Sequence, residues 1–168
     1  MKLPKKLENF LNKNKIKYKI IKHKTVYTAY DKAKTLKVSP NRVAKTLILK
    51  TDKSLVMVLI SGNKNLDKNK FKRLVNSFKK KKREKLVKSI NFISEKVIKN
   101  KFKGVKIGVI PPFGDFWKLP TYLDRALLKV PKIIVSAGSY DCSLVITPRE
   151  LRKTNQDLKI GSFGKKRK

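Results

Sequence analysis

The residues of this chain that could do chemistry are few, and their types already limit what that chemistry can be. Lys45 opens the extended run 45–50, where side-chain alternation puts it on one face with Leu47 and Leu49, and Thr46, Ile48 and Lys50 on the other. An ammonium at the mouth of an apolar strand face either points into a cavity, where it can bind a phosphate or polarise a carbonyl, or snorkels out to water along its methylene stem. The segment Gly108-Val109-Ile110-Pro111-Pro112-Phe113-Gly114 is the second candidate. Two prolines stop ladder hydrogen bonding and the flanking glycines let a ligand come close to the backbone. The loop therefore either presents backbone groups to an ester or a water, or simply ends a sheet. His23 sits at a strand end before a polar turn, where it can be a catalyst or a structural hydrogen-bond partner. Asp124 follows the run 121–123 and is placed to cap the turn 125–129. Cys142 and Ser143, after Gly138-Ser139-Tyr140-Asp141, either line a pocket or pack as small core residues.

One His and one Cys exclude whole classes of mechanism. A zinc site takes about three or four soft or imidazole ligands, which one His and one Cys cannot supply, so no metal is expected. A Ser–His or thiol–imidazole pair would have to recruit His23. Cys142 has no intrachain disulfide partner, and nothing argues for an oxidising compartment. The start MKLPKKLENF holds no apolar leader, and no stretch approaches the roughly 20 apolar residues of a membrane span. The expectation is a cytoplasmic protein with no membrane contact. Forty-five Lys and Arg against eleven Asp and Glu give a formal charge of +34. A polyanion is then the default partner, nucleic acid ahead of anionic lipid, although abundant Asn and Ile also fit an A/T-rich codon bias.

The elements that must position these residues can be read from spacing. Leu3, Leu7, Phe10 and Leu11 predict an amphipathic first helix, and Ile16, Tyr18 and Ile20 a half-buried strand. Thr28 with Asp31 is a capping arrangement ahead of Ala29, Ala33 and Leu36, and Ser39-Pro40 starts a second short helix. Strands 45–50 and 55–61 are joined by the hairpin signal Thr51-Asp52-Lys53-Ser54. Asp67 caps a helix with Phe71, Leu74, Val75 and Phe78 on one face, and the bases 79–83 extend it or leave it as a solvated loop. A short strand 90–93 and a capped helix 94–101 follow, then strands over 105–110, 121–123, 133–136 and 144–147 and a helical turn at 148–151. Residues 164–168 read as a frayed basic tail. The 40% of apolar residues is enough for a core. The prediction is a mixed α/β (α+β) fold: a single compact domain with one curved, largely antiparallel sheet flanked by helices.

Taken in order, His23 to Thr28, Arg42 to Leu47, Leu66-Asp67, Gly108 to Gly114, Tyr122 to Asp124, Val135 to Gly138 and Pro148 to Leu151 resemble the YbaK/ProX family of aminoacyl-tRNA deacylases. These are editing domains related to the insertion domain of bacterial prolyl-tRNA synthetase; the resemblance spans roughly residues 3–162, which implies an editing domain over 1–162 and a basic tail over 163–168. It implies hydrolysis of the ester between a wrong amino acid and the 3′ end of a tRNA, typically proline tRNA, with no metal or organic cofactor. The family's lysine falls on Lys45 and its GxxxP loop on Gly108 and Pro112, so these carry the catalytic expectation. His23, Tyr27, Thr28, Phe113, Gly114, Asp124, Gly138, Cys142 and Ser143 are the implied substrate contacts. The chain departs from the family at Ile21, where some members have tyrosine, and at Cys142-Ser143, where relatives often have His or Asp. Lys79, Lys80, Lys81, Lys82 and Arg83, with the C-terminal bases, are expected to grip the acceptor arm, alone or with a synthetase partner. The rival expectation is a non-catalytic RNA-binding module that kept the fold and lost the pocket.

Overall fold

A computed structural model describes residues 3–167. Helix α1 (Lys5–Lys13) buries Leu7 and Leu11 and ends where Lys15 turns left-handed and the Ile16 N–H donates back to the Leu11 carbonyl. Strand β1 (Lys19–Lys22) is thus shorter than the alternation predicted, because Ile16 finishes the helix rather than starting the strand. Thr28 caps α2 (Ala29–Thr35) by accepting from the Asp31 N–H at 3.0 Å. Pro40–Arg42 forms one 3-10 turn. The hairpin of β2 (Ala44–Thr51) and β3 (Ser54–Ser61) closes on Asp52-Lys53, with Thr51 opposite Ser54. After β4 (Lys64–Leu66), Asp67 caps α3 (Lys68–Lys81), which carries the basic run as a helical extension to Lys81 and ends with Arg83 left-handed.

The second half holds β5 (Ile90–Phe92), α4 (Glu95–Lys101), the short α5 (Gly114–Trp117) and β6 (Thr121–Asp124). A 3-10 turn (Arg125–Lys129), β7 (Ile133–Ser139), β8 (Cys142–Ile146), α6 (Pro148–Lys153), β9 (Leu158–Gly161) and β10 (Gly164–Lys166) complete it. The mixed α/β domain forms as expected, but its strands divide among several sheets. Five strands run in the order β5-β2-β3-β6-β9, antiparallel on the β2 side and parallel from β3 through β9. Three more run antiparallel in the order β1-β8-β7. The two sheets touch through a parallel bridge between Val43 and Ile134.

Strand β3 is apolar on both faces because both are covered. Met57 and Leu59 join a core with Leu7, Leu11, Phe113, Ile133 and Leu144. Val56, Val58 and Ile60 pack the other way, against Phe71 and Val75 of α3 and against Tyr122 and Phe163. Phe71 meets Tyr122 and Phe163 edge-on at 5.1 and 5.3 Å.

Two local expectations are corrected. Residues 105–110 form a loop and not a strand, since Gly104 and Gly108 both take positive φ, +87° and +84°, which no ladder accommodates. The predicted frayed tail is instead ordered as far as Arg167: β10 pairs antiparallel with β4, and Phe163 before it is fully buried. The cause is Asp124, whose carboxylate accepts from the N–H groups of Phe163 and Gly164 at 3.0 and 2.6 Å. Among the described residues no helix is long and apolar enough to cross a membrane.

Candidate active site: a cleft with two lysines

The start of α2, the first residues of β2 and the Gly108 loop enclose a cleft of about 250 Å³. Tyr27, Thr28, Ala29 and Lys32 line one side, Ala44 to Leu47 a second, and Gly108, Val109 and Ser136 close it. Each is there for a local reason. The Thr28 cap starts α2, and one turn later the helix carries Lys32 inward, its N–H on the Thr28 carbonyl at 3.0 Å. The Val43–Ile134 bridge sets the beginning of β2 against β7, so Lys45 of β2 and Ser136 of β7 share a wall.

The Gly108 loop is held from behind. The Pro111 carbonyl accepts from the Trp117 indole at 2.9 Å, and the Pro112 carbonyl from the Asn155 amide at 3.4 Å. That same side chain takes the Gly114 N–H at 2.6 Å, while Tyr140 Oη donates to the Ile107 carbonyl at 2.8 Å. Gly138 N–H donates to the Val109 carbonyl at 2.9 Å. Gly108 is left at the cleft with φ +84° and its own N–H bonded to none of the described residues. That N–H is free to donate to a carbonyl oxygen or a water.

The electrostatics are one-sided, with two ammonium groups in the lining and no carboxylate. Lys45 is half-buried, and its affinity for a proton is lowered by desolvation and by the nearby Arg167 guanidinium. Lys32 is 3% exposed, and burial pushes it down to about 8, opposed by the charge Cys142 would carry as a thiolate. Its Nζ donates to Ser136 Oγ at 3.4 Å. Thr46 Oγ1, also in the lining, is buried with no hydrogen-bond partner. Aromatic rings and cations flank the opening. Tyr27, 68% exposed, meets Tyr140 edge-on at 4.8 Å, with the Lys106 ammonium 5.3 Å over Tyr140. Tyr30 is also exposed, under the Arg167 guanidinium at 5.0 Å.

Lys45, Gly108, Tyr27 and Thr28 are therefore together, whereas the other sequence-derived candidates lie elsewhere. Pro112, Phe113 and Gly114 are buried behind the loop. His23 pairs with Ser143: Nδ1–H donates to the Lys24 carbonyl at 2.8 Å, which leaves Nε2 to accept from Ser143 Oγ, also at 2.8 Å. Ser143 is fully buried and outside the cleft, so this pair ties down the end of β1. Gly138 and Cys142 line a different hollow with Val105 and Lys106, and burial raises the Cys142 thiol. Asp124 is buried and committed to backbone N–H groups, capping Ala126 at 3.0 Å and holding residues 163 and 164. Lys79 and Lys82 sit beside Thr51 and Ser54 at the far end of β2, about 20 Å along the strand from Lys45. Sequence reasoning passed over Lys32, Thr46, Ser136 and Tyr30 as site residues, and had Arg167 only as one of the C-terminal bases expected to meet the tRNA. For Lys32 a signal existed, since it falls at helical spacing with Ala29, Ala33 and Leu36.

Solved structures share this architecture. One, of a proposed trans-editing enzyme for prolyl tRNA synthetase, superposes with a TM-score of 0.78 at 22% identity, covering 96% of each chain. Another, of a hypothetical protein, gives 0.77 at 22% identity over 95% of this chain and 99% of its own. A proposed signal transduction protein from Marinobacter aquaeolei VT8 gives 0.68 at 14% identity, over 97% of this chain but 31% of its own. At these identities the likeness is one of fold. No curated protein matches the chain. The model of the aminoacyl-tRNA editing domain matches residues 23–154, which run from His23 through the whole cleft to Thr154, and the chain belongs to that family.

Proposed function

We propose that this protein acts in trans as a deacylase, hydrolysing the ester that joins a wrong amino acid to the 3′ end of a tRNA, with proline tRNA the first candidate. The observation that carries the reading is the meeting of Lys45 with the free Gly108 N–H in one cleft inside an editing-domain fold. An aminoacyl ester is already activated, so positioning and stabilisation of developing negative charge suffice. Water adds to the acyl carbon, the carbonyl oxygen takes up negative charge, and the ester C–O bond breaks. The ribose oxygen leaves with a proton. Gly108 N–H is the donor for the carbonyl oxygen, and Lys45 holds the terminal nucleotide through phosphate or carbonyl contacts. Tyr27 and Tyr30, with Arg167 and Lys106, suit unpaired 3′ bases, which stack on aromatic rings and are held by flanking cations.

A non-catalytic RNA-binding role is the weaker reading. The departures at Ile21 and at Cys142-Ser143 lie outside the cleft lining, so they do not empty it. RNA binding alone also has no use for a left-handed glycine with an unpaired N–H at a cavity. The test is release of alanine, cysteine or serine from mischarged proline tRNA, with correctly charged prolyl-tRNA as control. Selective release of a mischarged species supports the deacylase, and tight tRNA binding with no release from any tRNA species supports the binder.

A further inference from the structure

Lys32 is the charged cleft residue to which hydrolysis as described gives no task. It is 3% exposed, comes from α2, and its only hydrogen bond among the described residues is the long one to Ser136 Oγ at 3.4 Å. An ammonium has three protons to place, and a buried one is costly unless paired. No Asp or Glu lines the cleft to pair it. The second cation there, Lys45, adds to the positive potential, and the Arg167 guanidinium acts on Lys45 as well. The Thr46 hydroxyl is buried in the same lining with no partner at all. A cavity that contains an under-bonded buried ammonium, an orphan hydroxyl and no acid is built for an incoming anion. Burial brings Lys32 down to about 8, which still leaves it mostly protonated at neutral pH.

We propose that Lys32, with the hydroxyls of Ser136 and Thr46, forms an oxyanion-binding subsite on the buried side of the cleft, taking a carboxylate of the acyl side chain or a phosphate of the terminal nucleotide. Assigning the oxyanion to an aminoacyl-tRNA rests on the function proposed above, whereas the anion chemistry of the subsite does not. Charge-assisted hydrogen bonds in a desolvated site are the strong ones. They make this subsite a selector: a neutral acyl group leaves Lys32 unpaired, and an anionic one satisfies it.

The experiment measures binding of three non-hydrolysable probes to wild type and to Lys32→Met. The probes are 3′-alanylamido-3′-deoxyadenosine, its aspartyl counterpart, and the alanyl compound carrying a 5′-phosphate. The proposal expects wild type to favour one anionic probe over the neutral one by at least about tenfold, and Lys32→Met to bring that ratio close to one. A preference for the aspartyl probe identifies a side-chain carboxylate, and a preference for the phosphorylated probe a nucleotide phosphate. A wild type with no preference, or a preference that survives in Lys32→Met, overturns the proposal. Should no probe bind, the editing function itself has failed, and sodium acetate decides the subsite. Acetate raising the melting temperature of wild type above sodium chloride of equal ionic strength, but not that of Lys32→Met, supports it. Equal shifts in the two proteins overturn it.

Discussion

The guanidinium of Arg167 lies 5.0 Å over the ring of Tyr30, and this brings the end of the described chain near enough to Lys45 to lower its proton affinity. The contact depends on Asp124, which holds the N–H groups of Phe163 and Gly164 and so directs β10 along β4. A cation stacked on an exposed aromatic ring close to the proposed site is suited to contact RNA. Arg167→Gln is expected to weaken tRNA binding and to reduce the slope of log affinity against log salt by about one. Titrations at four or five salt concentrations check it, and an unchanged slope would mean that Arg167 meets no phosphate.

Gly108 takes φ +84°, while a Cβ added there would come no closer than 3.8 Å to the Tyr27 carbonyl oxygen. Space is available, so conformation is the constraint. Gly108→Ala is expected to cost about 1–2 kcal/mol of stability from the left-handed backbone alone, and more in activity, because the loop relaxes away from the position that offers its N–H. Urea unfolding gives the first number and kcat for deacylation the second. A variant that loses stability but keeps kcat would remove Gly108 from the mechanism.

Lys32 makes a prediction about pH. Its ordinary value of 10.5 falls to about 8 in the fold, mainly through desolvation. Below about pH 8 both folded and unfolded chains hold the proton, and the folded state bears the full cost, of order 3 kcal/mol. Between about 8 and 10.5 the folded protein has released its proton while the unfolded chain keeps it, so this contribution to stability rises with pH. Lys32→Met is therefore expected to be more stable than wild type at pH 7, with the advantage shrinking steadily toward pH 10. Paired denaturant melts of the two proteins at several pH values check this, since the effects of groups distant from the cleft cancel in the difference. A gain that does not depend on pH would show that Lys32 is not desolvated.

The basic run at the end of α3 stands at the opposite end of β2 from Lys45. Replacing Lys80, Lys81 and Lys82 by Gln is expected to weaken tRNA affinity and its salt dependence while leaving kcat at saturating tRNA within about twofold, as suits contacts that add uniform binding. Loss of kcat with affinity intact would mean that the run reaches the reacting end.

Much of the fold is legible in the sequence, because its signals are local. The caps at Thr28, Asp67 and Ser94 each accept an N–H three residues on, and the hairpin closes on the expected turn, Thr51 to Ser54. What escapes is set across long separations. Division into two main sheets follows from parallel pairing of β3 with β6 and from the Val43–Ile134 bridge, neither of which leaves a periodic trace. Residues 164–166 look like a solvated tail by composition and become a strand through a carboxylate some forty positions upstream. The same division applies at the site. Lys45 and Gly108 carry their oddity in their own sequence neighbourhoods. Lys32 has the right spacing to face inward, yet as a lysine among many it reads as surface, and only the apposed Ser136 shows that it is not.

The most direct test of the account is hydrolysis of proline tRNA charged with alanine, cysteine, serine or proline, by wild type and by Lys45→Ala, with tRNA affinity measured in parallel. Lys45 is half-buried in the cleft beside the free Gly108 N–H, so the account predicts release of at least one mischarged amino acid by wild type. It further predicts at least about a hundredfold loss in Lys45→Ala, the scale of misplacing the reacting ester once the terminal nucleotide is no longer held, with overall tRNA affinity, which is spread over many phosphate contacts, little changed. Full activity in Lys45→Ala, or tight binding of tRNA by wild type with no hydrolysis of any of the four, would contradict it.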